Sequence, residues 1–368
     1  MRKGLFALAT VGLLATTGMA ACGDDSSDSG SSSSGTSSVG KVGVILPDTA
    51  SSQRWGTDDP KFLKAAFDAA GVTVDIQNAQ GDKTQFQTIA DGMISSGVKV
   101  LIIVNLDSGT GKAVLDKAKA AGIATIDYDR LTLSGGANYY VSFDNIAVGR
   151  LQGQGLHKCL QATTKAQAPL IADLNGSPTD NNASQFKEGY ESVLQPLYDS
   201  ATYRKGPDQS VDDWNNAEAG IIFDQMMNQT GNQINGVLAA NDGLANAAIS
   251  VLKKNRLNGK VPVTGQDATV QGLQNILAGD QCMTVYKPIK QEANAAASLA
   301  IKLFKGQKLT EALDNVKDPE SGARIPARLL DPIAITKSNV GQVIADGFVT
   351  RKQVCAGDYE KFCQAAGI

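Results

Sequence analysis

The stretch VKVLIIVNLDSGTGKAVLDKAKAAGIATIDYDR, residues 98–130, holds one complete structural unit. Val98–Val104 is an apolar run rich in Val and Ile and reads as a strand. Lys112–Ala121 reads as an amphipathic helix, and Gly122 follows at once, the residue that best tolerates a left-handed helix stop. Ile123–Tyr128 is the next strand. The same rhythm extends on the N-terminal side. Strands Val42–Leu46 and Val72–Ile76 alternate with helices Pro60–Ala70 and Thr84–Ser96, which run into Gly71 and Gly97. Repetition of this kind predicts an α/β protein with parallel sheet and helices on both faces.

After Tyr139–Phe143 the alternation resumes. Strands are expected at Leu170–Leu174, Val237–Ala240, Val261–Thr264 and Met283–Tyr286, with helices near Ile146–Leu160, Ala183–Leu194, Asn216–Asn228, Leu244–Lys254 and Val270–Leu277. That is too many strands for one comfortable sheet, so two α/β lobes are expected.

The carboxyl ends of these strands carry the polar residues. Val42–Leu46 leads to Gln53-Arg54-Trp55, and Ile123–Ile126 ends in Asp127-Tyr128-Asp129-Arg130. Leu170–Leu174 leads to Asp180-Asn181-Asn182. The later strands end in Asn241-Asp242, Gln266-Asp267 and Lys287. Open α/β sheets bind ligands in the crevice outside the carboxyl ends of their strands, so two facing lobes would enclose a cleft dense in Asp, Asn, Arg and Lys. The two tryptophans, Trp55 and Trp214, belong to the same polar segments rather than to apolar runs. A flat apolar ring among hydrogen-bonding groups suits a sugar, whose C–H face packs on the ring while its hydroxyls find partners. The alternative is that both are incidental core or surface residues.

Composition narrows the function. The chain has 368 residues and a net charge of −3, with a single histidine, His157. A mildly acidic chain without a long Lys/Arg run is poorly suited to nucleic acid. One histidine makes His-based zinc sites and Ser-His or Cys-His pairs improbable, and no metal or cofactor is called for. His157, beside Lys158, reads as a solvated residue at a helix end. Asp107–Ala113 resembles a phosphate loop but lacks its first glycine and its closing Ser/Thr, so an ordinary helix start is the better reading. Asp129, Asp180 and Asp267 could in principle form a glycosidase pair. Each has a polar or cationic neighbour, however, which favours ionised carboxylates that accept hydrogen bonds.

The N-terminus is a targeting device. Arg2 and Lys3 precede an apolar run from Leu5 to Ala15, followed by small residues up to Met19-Ala20-Ala21-Cys22. The run is too short to cross a membrane convincingly and reads as a secretory signal. Cys22 after two alanines resembles the bacterial lipobox, in which the cysteine is lipidated and becomes the mature N-terminus. The same residues also allow ordinary cleavage near Ala21, which would leave Cys22 free. Gly23–Gly40, almost all Gly, Ser, Asp and Thr, is expected to be a flexible tether with a reach of roughly 23 Å. In an exported chain the remaining cysteines, Cys159, Cys282, Cys355 and Cys363, favour disulfides. Three pairings are possible. The close pair Cys355/Cys363 would staple the C-terminal segment and leave Cys159 with Cys282; four free thiols are the alternative.

Taken in order, Gln53-Arg54-Trp55, Tyr128-Asp129-Arg130, Ser142-Phe143-Asp144-Asn145, Pro178–Asn182, Asn241-Asp242, Gly265–Ala268 and Met283–Pro288 resemble the monosaccharide-binding proteins of bacterial ABC importers. The likeness is strongest to the xylose-binding and multi-sugar members of the ribose/galactose/xylose class. It runs from about residue 41 to 347. The resemblance implies the type I periplasmic-binding-protein fold, two Rossmann-like lobes joined by a three-segment hinge. The leader would occupy 1–21 and the tether 22–40. The N-terminal lobe would comprise 41–144 and 288–325, the C-terminal lobe 145–287 and 326–368. It also implies sugar contacts from Arg54, Asp129 and Arg130 in the first lobe, and from Asp180, Asn182, Asn241, Asp267 and Lys287 in the second lobe and hinge. Trp55 and Trp214 would sandwich the ring. The expected partners are a monosaccharide, xylose first and glucose or a related aldose next, and a membrane permease with its cytoplasmic ATPase. The chain would work as a monomer on the outer face of the cytoplasmic membrane and catalyse nothing. A sugar-sensing receptor of the same fold is the alternative. Sugar-responsive repressors of this fold carry a helix-turn-helix where this chain has its leader and tether. The Ser-rich loop Thr49–Gln53 and the region near Gly206–Val211 depart from the family pattern, as do Cys355 and Cys363.

Overall fold

The computed structural model describes residues 40–307, 309 and 313–368. The leader, Cys22 and the tether up to residue 39 lie outside the described residues. The first lobe is laid down as β1 (Val42–Leu46), α1 (Asp58–Ala69), β2 (Val74–Asn78), α2 (Lys83–Ser95), β3 (Val100–Ile103), α3 (Ser108–Ala120), β4 (Ala124–Tyr128) and β5 (Tyr139–Phe143). The second follows as α4 (Asn145–Thr163), β6 (Leu170–Asn175), α5 (Asn181–Asp199), β7 (Arg204–Ser210), α6 (Asn216–Gln229), β8 (Gly236–Ala239), α7 (Asp242–Lys254), α8 (Val270–Ala278) and β9 (Thr284–Tyr286). The chain then returns through α9 (Ile289–Phe304), β10 (Asp314–Lys317) and β11 (Arg324–Leu330). It ends in β12 (Ile333–Ile335), α10 (Val340–Ala345), α11 (Arg351–Val354) and α12 (Glu360–Ala365).

The first sheet has seven strands in the order β10-β11-β5-β4-β3-β1-β2, parallel except at β10. Its central strands β1 and β3 are buried along their whole length, as strands covered by helices on both faces must be. A second sheet, β7-β6-β8, is wholly parallel, and β12 pairs antiparallel with β9 beside it. The backbone passes between the sheets after β5, after β9 and after β11.

Three sequence expectations change here. Val261–Thr264 is not a strand and makes a single bridge, Val263 to Val237, because Pro262 has no N–H to give to a ladder. The first lobe does not stop at residue 325, since β11 stays paired with β5 as far as Leu330 and buries Ile325 and Ala327 beside Leu131 and Tyr140. His157 is not at a helix end. It lies within α4 and shares a 2.7 Å hydrogen bond between its Nδ1 and the Tyr203 hydroxyl. The cysteines pair as Cys159–Cys282 and Cys355–Cys363, with Cα atoms 6.4 and 5.8 Å apart.

The strand-end Asp and Asn residues begin helices. Asp82, Asp107, Asp144, Asp180, Asn215 and Asn241 each accept a backbone N–H in the first turn of the helix that follows, as N-cap residues do. Asp107 thereby starts α3, and its neighbours Ser108–Lys112 are the helix start.

Helices α4 and α5 cross without room for side chains. A Cβ on Gly149 would overlap the Phe186 carbonyl, and one on Gly189 would overlap that of Ile146. The crossing brings the two helix starts together, so that Asn145 Nδ2 donates to Asn182 Oδ1 at 2.9 Å. Overpacking of this kind costs about 1–3 kcal/mol. Gly189→Ala should therefore lower the urea midpoint by that amount of stability. Gly92→Ala in α2, where a Cβ meets open space, should raise stability by up to about 1 kcal/mol through helix propensity. A Gly189→Ala midpoint equal to that of the unmodified protein would contradict the tight crossing.

Candidate functional site

Each site residue is delivered by the turn after a strand or by a helix start. Arg54 and Trp55 sit in the 3₁₀ turn Gln53–Gly56 after β1, and Asp129 and Arg130 directly follow β4. Asp180 caps α5, Asn182 lies in its first turn and Asn241 caps α7. Lys287 follows β9, and Trp214 closes the 3₁₀ turn Asp212–Trp214. All ten residues named from the sequence line one cavity between the lobes.

Asp129 is the node. Its Oδ2 accepts from Arg54 Nη1 at 2.8 Å and from Lys287 Nζ at 3.2 Å, and its Oδ1 accepts from Asn182 Nδ2 at 3.0 Å. Burial works against the charge, but Lys287, Arg54 and Arg130 outweigh it and hold this carboxyl at about 2. The backbone is committed as well. Asp129 has φ +60°, and Arg130 N–H donates to the Tyr128 carbonyl at 2.7 Å, closing a γ-turn. This conformation is strained for a non-glycine residue. The Asp129 carbonyl compensates by accepting from the Tyr140 and Ser142 hydroxyls at 3.0 and 2.8 Å and from Asn182 Nδ2 at 3.1 Å.

Arg54 is held from behind by Asp59 through Nε and Nη2 at 2.8 and 2.7 Å, and by Glu292 at 2.6 Å. Burial disfavours its charge, yet Asp59, Glu292 and Asp129 together keep it firmly protonated. One guanidinium cannot neutralise three carboxylates. Glu292, whose Oε1 has no hydrogen-bond partner among the described residues, is the one that yields: burial pushes it up to about 8 against the pull of Arg54. The Arg54 guanidinium also stacks 4.1 Å from the Trp55 ring centre.

Across the cleft, Arg130 Nε lies 3.0 Å from Asp180 Oδ2, Ser52 Oγ donates to Asp267 Oδ2 at 3.0 Å, and Asn241 Nδ2 reaches the Ser51 carbonyl at 3.4 Å. Trp214 Nε1 donates to Asp180 at 3.2 Å. Its ring fills the space that a side chain on Gly176 would need, from a backbone with φ +55° at Trp214 and +51° at Asp213. Burial raises the Asp180 carboxyl more than Arg130 lowers it. The cationic surroundings therefore prevail over burial at Asp129 and do not at Asp180.

Gln266, named from the sequence only as part of a strand end, also lines the cavity, as do Ser51, Ser52 and Phe186, which were not singled out as site residues. Neither were Asp59 and Glu292 behind it. Both acids left a signal, since each occupies a core position of its helix. Asp59 shares the buried face of α1 with Leu63 and Phe67, and Glu292 shares that of α9 with Ile289, Ala293 and Ala296. A charged residue at a core spacing needs a partner. Among the described residues no cluster of His, Cys, Asp and Glu is fit to hold a metal ion.

Comparison with known families matches residues 42–308 to the periplasmic binding protein domain. The chain belongs to that family. It is 38% identical over 312 residues to the D-xylose-binding periplasmic protein of Escherichia coli K12, covering 84% of this chain and 90% of that protein. It is 34% identical over 323 residues to the multiple sugar-binding periplasmic receptor of Rhizobium radiobacter, with 84% and 90% covered. Among solved structures it is similar to an ABC transporter solute-binding protein from Clostridium phytofermentans with bound β-D-glucose. There the TM-score is 0.77 at 27% identity, with 85% of this chain and 99% of that chain covered. The architecture is the type I periplasmic-binding-protein fold.

The proton on Glu292 predicts a pH effect. Its folded pKa of about 8 lies above the unfolded value of about 4.3, so over that interval the folded state keeps a proton that the unfolded state has lost. The stability linked to this group is complete below the unfolded pKa and is lost as pH rises through the folded one. Glu292→Gln keeps the shape and removes the titration. Urea melts at pH 5, 7 and 9 should show the variant gaining on the unmodified protein as pH rises. A difference that stays constant across that range would contradict the assignment.

Proposed function

We propose that this periplasmic binding protein is the extracytoplasmic sugar-binding lipoprotein of an ABC importer, anchored through Cys22 and delivering a monosaccharide to a membrane permease driven by a cytoplasmic ATPase. The observation that carries the reading is the inventory of the cavity. Three cations (Arg54, Arg130 and Lys287), the acceptors Asp129, Asp180 and Asp267, the amides Asn182 and Asn241, and two indoles converge on about 310 Å³. A neutral polyol satisfies both donors and acceptors there, whereas an anion would meet the carboxylates and a cation the guanidinium and ammonium groups. Asp129, held ionised, accepts from two adjacent hydroxyls. Trp214 packs on a C–H face of the ring, and Trp55, stacked on Arg54, closes the other side.

Xylose is the first-choice ligand, with glucose or a related aldose next. This is supported by the E. coli relative named for D-xylose binding and by the C. phytofermentans structure that holds glucose. The export reading is supported by the charged and apolar leader and by relatives named as periplasmic proteins. The site acts by binding. Asp129, held near 2, has no proton to give at neutral pH, and Asp180 is engaged as a helix cap.

A thermal-shift screen tests this. A sugar present at 100 times its dissociation constant adds about 2.7 kcal/mol to stability. Xylose or glucose should therefore raise the melting temperature, and amino acids and nucleotides should not. Charged hydrogen bonds contribute about 1.5–3 kcal/mol each, so Asp129→Ala should weaken the sugar by roughly tenfold to a hundredfold in a protein that still folds. A screen in which amino acids shift melting and no sugar does would overturn the reading.

A further inference from the structure

A second hollow, of about 780 Å³ and open to solvent, lies at the mouth of the cleft and has walls from both lobes. It shares Ser51, Arg130, Asp180 and Trp214 with the inner cavity, so these four residues stand between the two spaces. We propose that this hollow is a second sugar subsite, which takes the next unit of a short oligosaccharide whose first unit occupies the inner cavity. The inference rests on the sugar-binding reading above.

The partition is incomplete in one respect. Arg130 Nε is buried and lies 3.0 Å from Asp180 Oδ2, yet its N–H is not aimed at that oxygen and has no other partner among the described residues. A buried donor without an acceptor is costly, and this one stands at the junction of the two spaces, where the linking oxygen of a disaccharide would lie. The outer walls then repeat the chemistry of the inner ones. Lys83 is steadied by Asp107 at 2.8 Å and leans electrostatically on Asp213. Thr179 and Ser177 form a hydroxyl pair at 2.9 Å. The Trp214 ring, common to both spaces, supplies apolar surface. Mixed donors and acceptors around an indole fit a neutral second pyranose rather than a charged group. The inner cavity, at about 310 Å³, offers no such room itself.

Titration calorimetry on the purified protein with matched pairs, xylose with β-1,4-xylobiose and glucose with cellobiose, tests the subsite. One disaccharide should bind at a ratio of one, within about tenfold of its monosaccharide, and should compete with it. Lys83→Ala and Thr179→Ala should each weaken the disaccharide by roughly threefold to tenfold, the worth of one hydrogen bond, while leaving the monosaccharide unchanged. Binding of the monosaccharide with no binding of either disaccharide would overturn the subsite and leave the sugar reading standing. Disaccharide binding that neither variant alters would overturn the subsite too. If no sugar of either size binds, both readings fall.

Discussion

The ion pair between Asp129 and Arg54, 2.8 Å long and almost wholly buried, is the interaction on which the rest of the cleft depends. Burying charges is expensive, and a buried pair repays that cost only when its remaining hydrogen-bonding capacity is satisfied. This requirement accounts for much of what surrounds it. Asp59 and Glu292 occupy core positions to hold Arg54 from behind. Lys287 and Asn182 come from the other lobe to fill the remaining positions on Asp129. The strained γ-turn that aims the carboxylate is held by three donors to its own carbonyl. Removing Asp59 or Lys287 leaves a charge underpaired in a dry site, so the charged set behaves as one unit.

The same groups explain how a ligand could close the molecule. Asp129 touches both lobes, and its partners Lys287 and Asn182 are supplied by chain that leaves or enters the second sheet. The two sides satisfy one another directly, through Arg130 beside Asp180 and Ser52 on Asp267. A polyol offers hydroxyls that can substitute for those contacts while adding ring packing on Trp214. Closure is favoured to the extent that the ligand interacts better with the joined lobes than with either alone.

Much of this was legible in the sequence, for a physical reason. Strands in parallel sheets are apolar runs, helix stops are glycines, and residues that cap the helices sit at the carboxyl ends of the strands, where the cleft must be. Asp129, Asp180, Asn241 and Lys287 all follow from their place at or beyond those strand ends. That logic did not reach β7, whose sequence Arg204–Ser210 has no Val, Ile, Leu or aromatic side chain and forms the outer edge of its sheet. Nor did it reach β11, whose pairing with β5 is set by chain that returns from the far lobe. Asp59 and Glu292 were overlooked because a carboxylate on a helix is usually solvated. Only their spacing against Leu63 and Ile289 marks them as buried. The rise in the Asp180 pKa depends on the depth of burial, which sequence neighbours do not report.

The most direct measurement is a crystal structure of the protein grown with saturating xylose or glucose. The account predicts the sugar ring between the lobes, one face on Trp214, with two adjacent hydroxyls donating to the Asp129 carboxylate while Arg54 remains on Asp59 and Glu292. Sugar bound elsewhere, or sugar in the cleft with Asp129 still bonded only to protein groups, would contradict it.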